Sequence, residues 1–169
     1  MIPFSQCRAI FAQSDWHGDE TMLVAEVADW LCHTDSLTQK LQQIFPDLSV
    51  ELVQQGWQAV DFDEKFAKNS QNQTAWSREG LLKTRDKPLI FAQTLLPKAT
   101  IENVAQAVLE LGEKPIGLWL FPQNPQRQSL EWRQDLQTGL YARRSALLLK
   151  GYPLEIRELF LAEFPFEEH

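Results

Sequence analysis

The sequence contains little glycine and histidine, and these scarcities exclude several kinds of chemistry. It has 7 glycines in 169 residues, and no GxSxG, GxGxxG or phosphate-cradling glycine loop is present. The sequence therefore gives no support to an α/β-hydrolase with a nucleophile elbow or to a nucleotide-binding protein. The 3 histidines, His17, His33 and His169, stand far apart and share no spacing typical of a zinc or iron site. We predict that the protein uses no metal and no cofactor.

Cysteine, positive charge and long apolar runs are also scarce. Cys7 and Cys32 cannot form a disulfide framework and suit a reducing compartment, so we expect a cytoplasmic location. The N-terminus lacks the pattern of a secretory signal, and runs such as ALLL are too short to cross a bilayer, so we expect no membrane insertion. The formal net charge of −7 argues against nucleic acid as a partner. An anionic small molecule would need a local cluster of arginines.

The apolar content is ample: 44% of the residues are hydrophobic and six are tryptophans, which predicts one packed domain over residues 1–169. Apolar residues recur at helical spacing over 22–31, and a second helix is predicted after Ser36 as its N-cap, ending before Pro46. A further helix should start near Thr100, with Gly112 after its end. No heptad pattern demands a partner, and we expect a monomer.

The rest of the chain has the pattern of strands joined by short turns. The expected strands cover 48–60, 76–85, 88–96, 128–137, 140–149 and 153–163, with turns at 86–87 and 150–151. Residues 68–74 are a polar loop, and the acidic end, EFPFEEH, should lie at the surface. The fold class predicted is α+β: a single domain with a largely antiparallel sheet and helices packed over it.

One acidic residue interrupts an apolar row of the last strand. Side chains of a strand alternate between its two faces, and Glu158 then points with Leu154, Ile156, Phe160 and Ala162. A carboxylate on an apolar face needs hydrogen bonds, a cation or a proton, because desolvation penalises its charged form. Glu158 is therefore a candidate for catalytic or binding chemistry.

A basic residue occupies a comparable position in the second strand. Arg78 shares a side with Trp76, Gly80 and Leu82, and the small Gly80 leaves room for a ligand beside the guanidinium. The planar fork of arginine suits a carboxylate. Two interpretations stay open: Arg78 and Glu158 form a structural ion pair, or they hold opposite ends of a small anionic ligand.

The adjacent pair Arg143 and Arg144 supplies two further candidate cations. Neighbouring strand residues face opposite sides, so one of the two should point inward. The alternation of the surrounding residues does not decide which one.

Several blocks of the chain resemble, in the same order, those of bacterial chorismate pyruvate-lyases. They are DWLCHTDSLTQKLQQ at 29–43, WSREGLL at 76–82, TLLP at 94–97, LGEKPIGLWLF at 111–121 and GLYARRSALLLKGYPLEIRELFLAEFP at 139–165. The resemblance implies an antiparallel sheet whose ligand site is enclosed beneath helical flaps.

The resemblance also implies a reaction and a set of site residues. The family eliminates pyruvate from chorismate to leave 4-hydroxybenzoate, the aromatic precursor for ubiquinone, and needs no cofactor because the ring gains aromaticity. By similarity, Arg78 grips the ring carboxylate and Glu158 reaches the hydroxyl end of the ring. Main-chain groups of Leu37 and Ile116 would contact the product.

Two points depart from the family or compete with it. The family often has an arginine where Gln93 stands. The residue that would bind the enolpyruvyl carboxylate is therefore left open, with Arg143 or Arg144 as possible replacements.

The alternative function is a non-catalytic domain of the same fold that senses a small carboxylate for a transcription regulator. A regulator would carry an upstream DNA-binding domain and usually a basic surface, whereas this chain begins at the first lyase-like helix and is acidic. A degenerate lyase that binds product but turns over poorly is a third possibility.

Overall fold

Residues 1–60, 62 and 73–167 are described by the computed structural model, and within them six strands form one antiparallel sheet. The strands are β1 (Leu48–Val60), β2 (Gln73–Thr84), β3 (Lys87–Pro97), β4 (Gln126–Gln134), β5 (Tyr141–Leu149) and β6 (Tyr152–Phe160). Their order across the sheet is β1-β2-β3-β6-β5-β4. Two meanders of three strands therefore meet where β3 pairs with β6, which confirms the predicted antiparallel sheet.

The tight turns lie close to the predicted positions. Lys150 and Gly151 join β5 to β6 with φ angles of 51° and 87°, the left-handed pair typical of a two-residue hairpin. The β2–β3 turn is centred on Arg85 and Asp86, one residue before the prediction, and Arg85 has a φ of 55°. Of the predicted polar loop over 68–74, residues 68–72 lie outside the described part of the chain, whereas Gln73 and Thr74 are the first residues of β2, so the prediction is wrong for these two.

Five short α-helices pack on this sheet within the described residues. They are α1 (Phe4–Phe11), α2 (Ala25–Leu31), α3 (Leu37–Ile44), α4 (Lys98–Val104) and α5 (Ile116–Leu120). Ser36 caps α3 as predicted, because its Oγ accepts a hydrogen bond of 3.3 Å from the Gln39 N–H.

The predicted helix after Thr100 is wrong in its extent. It breaks at Ala105, continues as a 3₁₀ turn over Gln106–Glu110, and leaves Leu109 37% exposed. The helices α1 and α5 were not predicted; α5 has five residues, which are too few to establish a helical period.

Helices cover both faces of the sheet. On one side, here the front face, α2 and α3 pack over one apolar cluster and α4 and α5 over another. On the reverse face, Cys7, Ile10 and Phe11 of α1 pack against Phe91 and Leu159. This second layer explains why both rows of β6 carry apolar residues.

The C-terminal stretch is more closely packed than its acidic composition predicted. Phe164 is 6% exposed, and its ring centroid lies 4.9 Å from that of Trp30 and 4.7 Å from that of Phe160. The expectation of a surface tail is wrong for this residue, since two aromatic rings hold it against α2 and β6. No helix among the described residues is long and apolar enough to cross a membrane.

Candidate active site

The floor of a front-face cavity is built from two parallel rows of residues across the sheet. Each row has one residue from each of β2, β3, β6 and β5. The first row is Gly80, Ala92, Glu158 and Arg143, and the second is Arg78, Thr94, Ile156 and Ser145. The space not filled by atoms amounts to about 680 Å³, including the mouth. Strand alternation and register together bring Arg78 and Glu158 to one cavity.

The roof consists of two flaps, the start of α3 (Ser36–Thr38) and the start of α5 (Pro115–Gly117). A Cβ atom built on Gly117 would lie 3.1 Å from Thr38 Oγ1 and 3.3 Å from Ser36 Oγ. Glycine therefore lets the two flaps approach each other over the cavity.

Leu37 and Ile116 occupy matching positions in the two flaps. Each is the first residue of its helix, so its backbone N–H has no acceptor within that helix. Both residues line the cavity. This arrangement is compatible with the main-chain contacts that the family resemblance implies.

Arg78 is a buried cation without a carboxylate partner in the described part of the chain. It is 4% exposed, and its Nη2 donates a hydrogen bond of 2.7 Å to the Lys114 carbonyl. Its Nη1 is buried and donates no hydrogen bond to any described residue. Burial lowers the pKa of Arg78 from its ordinary value. An anion in the cavity would satisfy both the charge and the orphaned donor.

Glu158 has its cation, and that cation is Arg143. The Arg143 Nε donates a hydrogen bond of 2.8 Å to Glu158 Oε1, and the two residues are 2% and 7% exposed. Arg143 Nη1 also donates to the His33 carbonyl at 2.7 Å, which ties the sheet to the α2–α3 connection. Arg143 is thus the inward member of its pair and holds both Glu158 and the connection between α2 and α3.

The structural ion pair between Arg78 and Glu158 is not formed. Arg78 in β2 and Glu158 in β6 are separated by β3, and Glu158 is two residues along β6 from Ile156, which shares a row with Arg78. The spacing of a sheet then places their Cα atoms about 12 Å from each other. That separation leaves room for a ring between two opposite anchors.

Arg144 does not line the cavity, so its place as a candidate secondary cation is corrected. Its Nη2 lies 3.0 Å from Glu131 Oε1, and its guanidinium lies 4.6 Å from the centroid of the Trp16 ring. These contacts are on the reverse face of the sheet. Successive residues of β5 point to opposite faces, so Arg144 points away from the cavity that its neighbour Arg143 lines.

Gln93 also lies on the reverse face. Its Nε2 donates a hydrogen bond of 2.9 Å to Glu79 Oε2, and Arg157 Nη1 donates one of 3.3 Å to its Oε1. The side chain of an arginine at position 93 would leave the backbone on the face opposite to the cavity. A second cation for the enolpyruvyl carboxylate therefore has to come from another position.

Arg127 is the cavity residue that sequence reasoning missed. It lies in β4 opposite Leu147, and both residues line the cavity. The predicted strand began at 128, and a register shift between Arg127 and Ser129 disturbs the alternation of this polar segment. No local pattern distinguishes Arg127 from a solvated surface arginine.

Metal ligands are not clustered in residues 1–60, 62 and 73–167: no three of their His, Cys, Asp and Glu side chains are arranged to hold an ion. Independence from metals and cofactors stays a prediction.

The architecture is an α+β fold that also occurs in solved structures of other proteins. The ligand-binding domain assigned to a GntR-family transcriptional regulator from Bordetella bronchiseptica superposes with a TM-score of 0.51 at 13% identity, covering 69% of this chain and 84% of that one. At this identity the likeness concerns the fold alone.

Sequence comparison identifies the family. The chorismate lyase family matches residues 8–168. Chorismate pyruvate-lyases of Pectobacterium carotovorum and Pectobacterium atrosepticum are 33% and 35% identical, covering 89% and 86% of this chain and 85% and 82% of theirs. The chain belongs to the chorismate lyase family, which confirms the resemblance noted in the sequence.

Proposed function

We propose that this protein eliminates pyruvate from chorismate and leaves 4-hydroxybenzoate. Family membership supports the reaction class, and relatives named chorismate pyruvate-lyase share about a third of their residues with this chain. The observation that carries the proposal is Arg78, a buried guanidinium that lines the cavity and whose Nη1 has no hydrogen-bond partner among the described residues. Glu158 lies across the same cavity.

In the proposed complex the ring lies over the small residues Gly80 and Ala92. Arg78 binds the ring carboxylate through Nη1, because a charge-assisted hydrogen bond is stronger than the neutral contacts that the rest of the cavity offers to a carboxylate. Glu158 accepts a hydrogen bond from the ring hydroxyl, and Arg143 orients the carboxylate of Glu158. The N–H groups of Leu37 and Ile116 contact the ligand from the flaps.

The proposed chemistry removes one ether link and one proton from the ring. The bond between the ring carbon and the ether oxygen breaks, and the neighbouring carbon that bears the hydroxyl loses its hydrogen as a proton. The ring becomes aromatic, and the released enolpyruvate gains a proton at its methylene carbon to become pyruvate. No electrons are exchanged with a third reactant, so only holding, orientation and proton handling fall to the protein. We assign the proton handling to Glu158.

We also propose that the product, 4-hydroxybenzoate, is the aromatic precursor for ubiquinone, as the family resemblance implies.

The test is to incubate the purified protein with chorismate and quantify both products, 4-hydroxybenzoate by chromatography and pyruvate by a coupled lactate dehydrogenase assay. We expect the two products in equal amounts, at a rate proportional to enzyme and unchanged by exhaustive chelation, since no ligand cluster was found in the described residues.

A heat-denatured sample provides the control for spontaneous breakdown of chorismate. Binding of 4-hydroxybenzoate without turnover would overturn the enzymatic proposal and favour a sensing domain. Loss of turnover on chelation, restored by a divalent ion, would contradict independence from metals.

A further inference from the structure

The cavity carries more positive charge than its acidic residue balances. Among the described residues, three guanidiniums line it, those of Arg78, Arg127 and Arg143, against the single carboxylate of Glu158. Glu158 is paired with Arg143 at 2.8 Å, so Arg78 and Arg127 are the two uncompensated cations. This local excess stands out in a chain whose formal net charge is −7. Two unbalanced cations correspond to a ligand with two negative charges.

Arg127 approaches the cavity from the edge strand β4, on the side opposite to β2 and Arg78. Its Nη1 donates to Ser145 Oγ, and its Nη2 donates a hydrogen bond of 3.0 Å to the Thr34 carbonyl. A guanidinium carries five N–H groups, so these two bonds leave donors for a ligand. Arg127 has no carboxylate within ion-pair distance among the described residues.

Arg127 also lies where the cavity meets the solvent. It lines a second, more open cavity beside the first, together with Thr34, Asp35 and Phe121. Burial and the nearby charge of Arg143 lower the pKa of Arg127 to about 10, while Glu158 and Asp35 act weakly in the opposite direction. The cation persists at neutral pH, but the folded protein by itself offers it little compensation.

We infer that Arg127 is a specificity-determining residue that binds a second carboxylate, so that the cavity distinguishes a dicarboxylate from a monocarboxylate. The inference rests on the proposed function, in which the substrate has a ring carboxylate and an enolpyruvyl carboxylate. Arg78 takes the first and Arg127 takes the second. The product retains only the ring carboxylate and makes no ion pair with Arg127, which favours its release after the elimination.

The test compares two stable ligands by calorimetry: 4-hydroxybenzoate, which has one carboxylate, and 3-(carboxymethoxy)-4-hydroxybenzoate, its ether-linked carboxymethyl derivative, which has two. Arg127→Met keeps an unbranched apolar stem similar to the aliphatic part of arginine and removes the guanidinium with its charge. We expect the variant to bind the dicarboxylate about 10- to 100-fold more weakly, since a charge-assisted bond is lost. Its affinity for 4-hydroxybenzoate should change less than threefold. In steady state, KM for chorismate should rise with a smaller change in kcat.

Arg144→Met is the matched control, because it makes the same substitution on the neighbouring strand outside the cavity. We expect it to bind both ligands as the wild type does. Equal losses for the two ligands in Arg127→Met would show that Arg127 only holds the α2–α3 connection at Thr34 and would overturn the inference, as would unchanged affinity for the dicarboxylate. The binding comparison does not depend on turnover. Failure of the wild type to convert chorismate would therefore count against the proposed function and leave the assignment of Arg127 to be judged by binding alone.

Discussion

The two faces of the sheet bury polar groups in opposite ways. On the reverse face, Arg8 Nη2 lies 2.7 Å from Glu79 Oε1 and Arg157 Nε lies 3.1 Å from Glu155 Oε1. Gln93 joins the two pairs by hydrogen bonds to Glu79 and from Arg157. Two cations and two anions therefore balance each other.

On the front face the balance is absent. The cavity has the Arg143–Glu158 pair and, in addition, Arg78 and Arg127 without carboxylates among the described residues. Unpaired buried charge is costly, so a protein retains it where a ligand supplies the opposite charge. We therefore propose that the charges of the reverse face serve stability and that the unpaired cations of the front face serve binding.

The same strands supply both faces. Arg78 and Glu79 are neighbours in β2, and Arg157 and Glu158 are neighbours in β6. Successive side chains of a strand point in opposite directions. A shift of one residue along the strand therefore moves a charged side chain from the ion pairs of the reverse face to the cavity of the front face. Three substitutions test this division.

The largest effect is expected at Glu158. In Glu158→Gln the amide can still hydrogen-bond the ring hydroxyl, so affinity for 4-hydroxybenzoate should stay within several-fold. Turnover should fall by roughly 10²- to 10⁴-fold, the usual range for a lost general acid or base. Turnover, product affinity and melting temperature are measured on the same preparation.

Glu131→Gln is the control, since it breaks the Glu131–Arg144 pair on the reverse face in the same way. Near-normal turnover in a stable Glu158→Gln protein would leave Glu158 as a binding residue only. Activity lost in proportion to unfolded protein would assign it a structural role as the partner of Arg143.

The next effect is expected at Arg78. Arg78→Ala should weaken binding of 4-hydroxybenzoate by about 2–5 kcal/mol, because a buried carboxylate loses its charge-assisted partner. Arg78→Lys should restore only part of this, since an ammonium is a point charge and cannot reproduce the planar fork. Calorimetric titration of product measures both variants.

Arg85→Ala removes an exposed arginine at the turn that follows β2 and should bind product normally. Unchanged affinity in a folded Arg78→Ala protein would refute the assignment of Arg78 as the anchor.

The smallest effect is expected on the reverse face. Glu79→Gln should lower the free energy of unfolding by about 1–2 kcal/mol, because Glu79 is buried whereas its partner Arg8 is 39% exposed and can be hydrated. Catalytic rate per folded molecule should stay within twofold of wild type. Denaturant titration measures the first quantity and turnover the second. A large loss of turnover with unchanged stability would show that the two faces are not separate in function.

Much of the site follows from local sequence alone. Strand alternation is a property of each strand, so it placed Arg78 with Gly80 and Glu158 with Ile156 before any pairing was known. The Ser36 cap and the turn at residues 150–151 depend on backbone conformations that a few adjacent residues determine. The family blocks added the order of these elements and the expectation of helical flaps.

Tertiary structure decided the rest. Alternation separates Arg143 from Arg144 but does not say which faces the cavity, because that depends on the pairing of β5 with β6 and on the helices that cover each face. For the same reason the sequence did not predict Arg127 as a site residue. It lies in an edge strand beside a register shift, and its guanidinium is held by the carbonyl of Thr34, which is distant in sequence. A strand determines which of its residues share a side, and only the packed fold determines what that side faces.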